Sequence, residues 1–207
     1  IANIIGNILE LTDKQINDRN IQVVTDYGND TYKLAGSLKH IRQVLYNIIE
    51  NAIKYNKQNG SISISVHNEK TDEEKAECFV TVADTGIGMS REFIENELFK
   101  PFTQEENDAR TQYRGTGLGM SIVKALIDRL GGTIKVESTL GEGTDITYQL
   151  LFKIDKNASE QSESQNCAGA KNLEGMKILL VEDNELNREI AVEILHEYGF
   201  LVDTAEN

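Results

Sequence analysis

The chain has 207 residues, of which 39% are hydrophobic and 27% are charged, a composition typical of globular rather than disordered or fibrous proteins. Its length exceeds the roughly 100 to 150 residues of a typical domain, which predicts one complete domain and part of a second. The formal net charge of -13 argues against nucleic acid or an anionic membrane as the main partner, because such a surface repels phosphate groups.

The sequence shows no sign of membrane insertion or secretion, and its cysteines form no recognisable pattern. No run approaches the roughly 18 apolar residues of a membrane span, and the N-terminus lacks the pattern of a signal peptide. The two cysteines, Cys78 and Cys167, form neither a metal-ligand pair nor a disulfide framework. The sequence therefore predicts a cytoplasmic segment in a reducing compartment.

The first predicted elements are helices and strands in alternation. Apolar residues at helical spacing from Ile1 to Leu9 predict a first helix, and residues 21–27 predict a strand. A second helix is predicted over residues 38–55. Its apolar stripe consists of Leu38, Ile41, Leu45, Ile48 and Ala52, and its polar face carries Gln43, Asn47, Glu50, Asn51 and Lys54. Residues 61–67 and 78–83 then predict two strands joined by a charged hairpin.

The next segment, residues 89–113, is polar and weakly periodic and contains the chain's only proline, Pro101. A segment of this length without a clear core face is typical of a functional loop. Residues 118–130 predict a helix that ends at two glycines. Residues 133–137 and 144–152 predict a further pair of strands.

The C-terminal part has a different composition. Residues 153–175 are rich in Ser, Asn, Gln and Glu, which predicts a flexible linker between a first domain at 1–152 and a second at 176–207. Residues 176–181 predict an apolar strand, residues 185–198 a helix, and Phe200 the start of another strand.

Polar residues that could bind a metal ion or a ligand lie along the second predicted helix. Asn47 and Asn51 are one turn apart, and Lys54 and Tyr55 lie one turn further along the same general face. Amide oxygens are hard ligands that suit Mg²⁺. A solvated polar face is the alternative interpretation of the same spacing.

Two glycine-rich motifs follow. Residues 84–89 (DTGIGM) come directly after an apolar strand, where Asp84 could accept a hydrogen bond while glycines let a ring approach the backbone. Residues 115–119 (GTGLG) open a helix whose free N–H groups would suit a phosphate. The alternatives are a plain Asp-Gly turn and a flexible hinge; neither motif is a Rossmann fingerprint or a P-loop.

The order of these motifs resembles one family. NIIENAIKY from Asn47, DTGIGM from Asp84, FKPF from Phe99 and GTGLGM from Gly115 are similar to the N, G1, F and G2 boxes of histidine kinase catalytic domains in the GHKL ATPase superfamily. The resemblance covers residues 1–152. It implies an α/β (α+β) two-layer Bergerat sandwich with a mixed sheet, in which ATP lies between the N-box helix and a lid formed by the loop before Gly115.

The resemblance also implies roles for single residues. Asn51 would bind Mg²⁺ together with ATP, Asn47 would lie on its phosphate side, and Lys54 would reach the phosphates; these three residues are the expected catalytic set. Tyr55 would flank the adenine, and Asp84 would accept the adenine amino group.

The glycines and the lid complete the expected ATP site. Gly86 and Gly88 would let the base approach, and Arg110 and Arg114 would lie in the lid. The backbone that would wrap the phosphates is that of Gly115, Thr116, Gly117, Leu118 and Gly119.

MKILLVEDNELNREI from Met176 resembles the first strand and helix of a receiver domain. Glu182 and Asp183 would be its acidic pair for Mg²⁺, although a helix N-cap with favourable charge explains these two residues as well. The family's phosphoacceptor aspartate would lie beyond Asn207. The whole chain is therefore expected to be part of a hybrid sensor histidine kinase with a truncated, flavodoxin-like receiver domain at its C-terminus.

The resemblance implies a two-component phosphorelay function. The γ-phosphoryl group of ATP would pass to a histidine on a dimerization domain that is absent here, and a downstream response regulator would be the further partner. His40, His67 and His196 lie in the wrong contexts for the acceptor. The chain alone is expected to be monomeric and inactive in autophosphorylation, and the full-length protein is expected to be a homodimer anchored in the cell membrane.

Two other functions remain open. The first is a GHKL hydrolase, whose relatives carry a water-activating glutamate where this chain has Asn47; Glu50 lies one turn away. The second is a pseudokinase that binds nucleotide without transferring phosphate. The intact boxes do not favour either, but they do not exclude a pseudokinase.

Overall fold

The computed structural model describes residues 1–28, 34–105, 116–155, 175–181, 192, 195–196 and 199–205. It separates into two compact units, Ile1–Ala158 and Ser159–Asn207. The helices of the first unit are α1 (Ala2–Asp18), α2 (Leu38–Lys54), α3 (Arg91–Asn96) and α4 (Gly119–Arg129). Its strands are β1 (Gln22–Asp26), β2 (Leu34–Ala35), β3 (Ser61–Lys70), β4 (Lys75–Asp84), β5 (Thr133–Thr139) and β6 (Gly143–Ile154).

The strands form one mixed sheet. Its order is β1-β3-β4-β6-β2, and β5 also pairs with β6. β1 runs parallel to β3, whereas the other pairs are antiparallel. Alternate residues of β3, β4 and β6 are buried, as the period of two along a strand requires when one face of a sheet is covered.

The core lies between this sheet and the helices. Ile5 and Ile8 of α1, Val123 of α4 and the apolar face of α2 share one cluster with the inward residues of the sheet. Tyr148 is part of this cluster, and burial raises the pKa of its hydroxyl well above the usual value, with a smaller contribution from Cys78. The predicted two-layer α/β sandwich with a mixed sheet is therefore confirmed.

Two expectations for α2 need correction. Leu38 was expected in the apolar stripe, but it is the first residue of the helix and is 66% exposed in the described structure. Asn47 was expected on the polar face, but it is only 8% exposed. The remaining stripe residues, Ile41, Leu45, Ile48 and Ala52, are buried as predicted.

The prediction of a loop throughout residues 89–113 was wrong in its first part. Helix α3 begins after Ser90, whose side chain accepts a hydrogen bond from the N–H of Phe93 at 3.2 Å. Met89 and Leu98, on either side of this helix, are buried in the core. Six residues are fewer than two helical turns, so the sequence shows no clear period there.

The last strand of the first unit is longer than predicted. β6 continues to Ile154, two residues beyond the predicted boundary at 152, because Lys153 and Ile154 pair with β2. Residues 156–174, which include most of the predicted linker, lie outside the described residues.

The second unit contains β7 (Lys177–Val181) and β8 (Leu201–Ala205), which pair in parallel. These strands agree with the two strands predicted at the C-terminus. Of the predicted helix between them, Val192, Leu195 and His196 are described and are helical. Within the described parts of the chain, no helix is both long enough and apolar enough to cross a membrane.

Candidate functional site

The first unit contains a cavity of about 520 Å³, which is within the range of roughly 300 to 1,000 Å³ of ligand pockets in proteins. One wall is formed by α2, and the opposite walls are formed by the end of β4, the start of β6 and the start of α4. Residues 103–105 and 116–118 border it between these elements.

The polar face of α2 lies along one side of the cavity. Asn47, Asn51, Lys54 and Tyr55 all line it, because residues three, four and seven positions apart lie on one side of a helix. The side-chain Nδ2 of Asn47 is buried, and it has no hydrogen-bond partner among the described residues. Lys54 Nζ lies 4.9 Å from the centre of the Tyr55 ring. The structure thus brings these four predicted site residues together.

A residue that the sequence analysis missed holds the C-terminal end of α2. Arg19 Nη1 donates hydrogen bonds to the carbonyl oxygens of Ile53 at 3.0 Å, Lys54 at 2.6 Å and Asn56 at 3.3 Å. These carbonyls lie at or just beyond the last turn of α2, where carbonyls run out of i+4 partners in the helix, and a cation is favourable at this end of the helix dipole. Arg19 therefore stabilises the turn that presents Lys54 and Tyr55.

Asp84, at the last position of β4, lines the cavity next to Tyr55, since a Cβ atom on Gly86 would meet both the Tyr55 carbonyl and Asp84 Oδ1. Its Oδ1 accepts a hydrogen bond from the N–H of Gly86 at 2.7 Å. In the sheet, Asp84 pairs with Thr144, which is 9% exposed and also lines the cavity. Thr144 was not among the predicted site residues, because its position beside Asp84 depends on the pairing of two strands that are distant in sequence.

The two glycines after Asp84 do not have the same place in the site. Gly88 lines the cavity and Gly86 does not. A Cβ atom on Gly86 would meet the backbone carbonyl of Tyr55, and one on Gly88, where φ is +64°, would meet that of Thr139. Glycine is therefore required here by close backbone packing. That either glycine also lets a base approach stays a prediction.

The start of α4 lies beside the two asparagines. A Cβ atom built on Gly119 would lie 3.8 Å from Asn51 Nδ2 and 3.9 Å from Asn47 Oδ1. The N–H of Phe102 donates to the carbonyl of Gly117 at 3.0 Å, which holds the segment that leads into this helix. Thr116, Gly117, Leu118 and Gly119 all line the cavity, as predicted.

Five predicted site residues lie outside the described residues. Arg110, Arg114 and Gly115 belong to residues 106–115, and Glu182 and Asp183 belong to the second unit. Their positions therefore stay predictions.

The described lining of the cavity is acidic, so an anionic ligand would bind there more favourably together with a cation. The described lining contains Glu50, Asp84 and Glu105 but only one cationic side chain, Lys54. At the α2–α4 end, the side chains of Asn47 and Asn51 lie next to the start of α4, and Asn47 Nδ2 is a buried donor without a partner among the described residues. A polyphosphate could bind at that end if a divalent cation offset its charge, and a donor group could bind at the Asp84 end.

This geometry has counterparts in known proteins. The profile of the family described as histidine kinase-, DNA gyrase B-, and HSP90-like ATPase matches residues 36–154. The chain is 35% identical over 173 residues to the sensor protein GacS of Pseudomonas syringae pv. syringae, which is 84% of this chain and 18% of that protein. The chain spans about a fifth of the length of the curated relatives it matches.

Solved structures are similar as well. The catalytic domain of histidine kinase ThkA matches with a TM-score of 0.60 at 28% identity, covering 72% of this chain and 91% of that one. ThkA in complex with the response regulator protein TrrA matches with a TM-score of 0.55 at 24% identity, covering 73% and 40%. Full-length ShkA in complex with AMPPNP matches in fold with a TM-score of 0.60 at 22% identity, covering 98% and 39%.

Proposed function

The chain belongs to the family of histidine kinase-, DNA gyrase B- and HSP90-like ATPases, and from this premise we propose how its cavity works. It is a histidine kinase ATP-binding catalytic domain that is homologous to sensor kinases. The proposal is that the cavity binds ATP with Mg²⁺ and positions the γ-phosphoryl group for transfer to a histidine on a separate dimerization domain.

One observation carries the proposal, namely the buried amide of Asn47. Leaving a buried donor without a partner costs about 1 to 3 kcal/mol, so a native protein keeps such a group only where something else offsets the cost. Asn47 Nδ2 lacks a partner in the described structure, and the same side chain lies next to the start of α4, with Oδ1 as its nearest polar atom. An oxygen of a bound phosphate would satisfy the amide and accept hydrogen bonds from the helix at the same time.

The other residues divide between the two ends of the nucleotide. Asn51 coordinates Mg²⁺ through its amide oxygen, and Lys54 contributes a positive charge to the phosphates. Asp84 accepts a hydrogen bond from the amino group of adenine, and Tyr55 flanks the base. The charge of bound Mg²⁺ offsets that of the phosphates in a cavity whose described lining is acidic.

Positioning is the main contribution of this chain to the reaction. A nitrogen of the acceptor histidine forms a bond to the γ-phosphorus, the bond from that phosphorus to the bridging oxygen breaks, and ADP leaves. Residues at the α2–α4 end hold the phosphates in place, so that the loss of translational freedom occurs on binding rather than in the transition state. The group that handles the histidine proton belongs to the partner domain.

The proposed partners follow from the relatives. ThkA was solved in complex with a response regulator, and we extend this kind of partner to the protein that contains this chain. Residues 176–207 are proposed to be the beginning of a receiver domain, with residues 153–175 as the linker. The parallel pair of β7 and β8 supports this, because a parallel sheet is the scaffold of a doubly wound receiver fold.

A hydrolase is the second candidate, and one observation favours it. Glu50 lines the cavity, so a carboxylate is present that could in principle activate a water molecule. Asn47 stands where hydrolases of this superfamily carry their catalytic glutamate, and an amide cannot act as a base. The kinase is therefore the better supported function.

The test combines binding with transfer. Calorimetry should find one Mg²⁺-dependent ATP site per chain, and the chain alone should neither label itself nor hydrolyse ATP quickly. Adding a separately prepared dimerization domain of a homologous kinase, with ATP labelled at the γ-phosphate, should produce an acid-labile label on that domain. Absence of ATP binding would overturn the proposal, whereas binding without transfer would favour a pseudokinase.

A further inference from the structure

Ser138 on β5 connects three segments that form the base end of the cavity, although it does not line the cavity itself. Its hydroxyl accepts a hydrogen bond from the N–H of Met89 at 2.8 Å and donates one to the carbonyl of Gly143 at 2.7 Å. Its Oγ also lies 2.9 Å from Oγ1 of Thr144. Met89 and Thr144 both line the cavity.

The number of protons in this cluster determines the direction of the third bond. A serine hydroxyl has one proton and two lone pairs. The carbonyl of Gly143 can only accept, so it takes the Ser138 proton, and the N–H of Met89 can only donate, so it occupies one lone pair. The bond to Thr144 must then use the Thr144 proton and the second lone pair of Ser138. Thr144 lines the cavity, and its Oγ1 consequently has lone pairs, and no proton, left for a ligand there.

Strand pairing places this acceptor next to another one. Thr144 pairs with Asp84 on one side and with Ser138 on the other, and side chains directly opposite each other on neighbouring strands lie on the same face. An ionised carboxylate also only accepts hydrogen bonds. The wall at the base end therefore presents two neighbouring acceptors, which suits a ligand edge with N–H donors and leaves a carbonyl edge without a partner.

We infer that Ser138 is a positioning residue that determines nucleobase specificity. It holds the Thr144 proton away from the cavity, so that the site selects a base with an amino group over a base with a carbonyl group at the same position. This inference rests on the proposed function, since it assumes that the base of a nucleotide occupies the Asp84 end.

The test compares two nucleotides in matched variants. ATP and inosine triphosphate differ in carrying an amino group and a carbonyl at the same ring position, and calorimetry measures the affinity of each with Mg²⁺. In Ser138→Ala, the Thr144 proton is free to turn toward the cavity and donate to a carbonyl. The ratio of ATP to inosine triphosphate affinity should fall by about fivefold to tenfold, which corresponds to one net hydrogen bond.

Three variants separate this effect from a loss of structure. Ser138→Thr keeps the hydroxyl and should keep the ratio of the unchanged chain. Thr144→Val removes the acceptor and should lower the ratio, and adding Ser138→Ala to it should lower the ratio no further. Ser63→Ala changes an exposed serine on β3 and should alter neither affinity.

The outcomes distinguish this inference from the proposed function. If Ser138→Ala weakens both nucleotides equally, with an unchanged ratio, Ser138 only supports the fold through Met89 and Gly143, and the inference is wrong. If the unchanged chain binds ATP and inosine triphosphate equally well, the specificity claim fails while the ATP site stands. If it binds neither, the proposed function fails and this inference fails with it.

Discussion

At the end of the cavity formed by β4 and β6, hydrogen bonds within the chain hold the polar groups in place, whereas at the α2–α4 end one polar group lacks a partner. Asp84 accepts from Gly86, and Thr144 is bonded to Ser138. Asn47 Nδ2 is buried without any partner in the described structure. The polar groups of the proposed base end are thus held by hydrogen bonds within the chain, whereas the proposed phosphate end has a donor that only a ligand would satisfy.

This difference predicts different responses to mutation. Substitutions at the α2–α4 end should affect the binding of the metal and the phosphates, and they can even stabilise the protein without ligand. Substitutions at the base end should affect all nucleotides with the same base. The following predictions test this division, from the largest expected effect to the smallest.

Asn51→Ala should remove most of the Mg²⁺-dependent part of ATP affinity. The expected loss is at least about 100-fold, because even the groups that support a metal ligand contribute about 10- to 100-fold. Calorimetry with and without Mg²⁺ measures it, and Gln43→Ala, at an exposed position of the same helix, is the matched control. Undiminished Mg²⁺-dependent binding in the Asn51 variant would refute its role as a metal ligand.

Asp84→Ala should weaken ATP and ADP by the same factor, because both carry the same base. A hydrogen bond to a charged group contributes about 1.5 to 3 kcal/mol, or roughly 10- to 100-fold in affinity. Asp145→Ala removes an exposed carboxylate from the neighbouring position of β6 and should leave both affinities unchanged. A loss confined to ATP would mean that Asp84 acts on the phosphates instead.

Asn47→Leu should stabilise the chain without nucleotide and weaken its binding of ATP. Removing an unpartnered buried amide relieves a cost of about 1 to 3 kcal/mol, and each kcal/mol raises Tm by roughly 2 to 4 °C in a protein of this size. Asn7→Leu, at an exposed position of α1, measures the gain from helix propensity alone. A Tm for Asn47→Leu no higher than that of the control would show that the amide carries no such cost.

Glu50→Gln should have the smallest effect of the four, with no change in ATP hydrolysis by the chain alone. The kinase proposal gives Glu50 no role as a base, although it lines the cavity. A steady rate on the order of 1 per second, within the usual range of enzymes, that disappears in this variant would support the hydrolase instead. Phosphate release is the appropriate measurement.

Much of the fold was predictable because the signals are local. The helical period of residues 38–55 predicted α2, and the alternation in residues 61–67 predicted β3. The six residues of α3 are too few to show a period, so this helix was missed. The exposure of Leu38 was also missed, because burial at the end of a helix depends on what packs against it.

The candidate site was predictable in part. The asparagines of α2, Asp84 and residues 116–119 were identified from their motifs, and the structure brings them to one cavity. Arg19 and Ser138 were not identified. The partners of Arg19 lie 34 to 37 positions away. Ser138 has near partners in Gly143 and Thr144, but its third partner, the N–H of Met89, lies 49 positions away, and no local pattern marks a side chain that joins such distant segments.

The sequence by itself determined which residues could do chemistry, because residue type and spacing on a helix or strand are properties of short segments. Only the tertiary structure decided what each of them faces. The packing of α4 beside α2 made Asn47 a buried donor instead of a solvated one. The hairpin of β5 and β6 placed Ser138 beside Thr144, and the pairing of β6 with the distant strand β4 placed Thr144 beside Asp84, because register is determined by which faces of the paired strands are buried together and not by either strand alone.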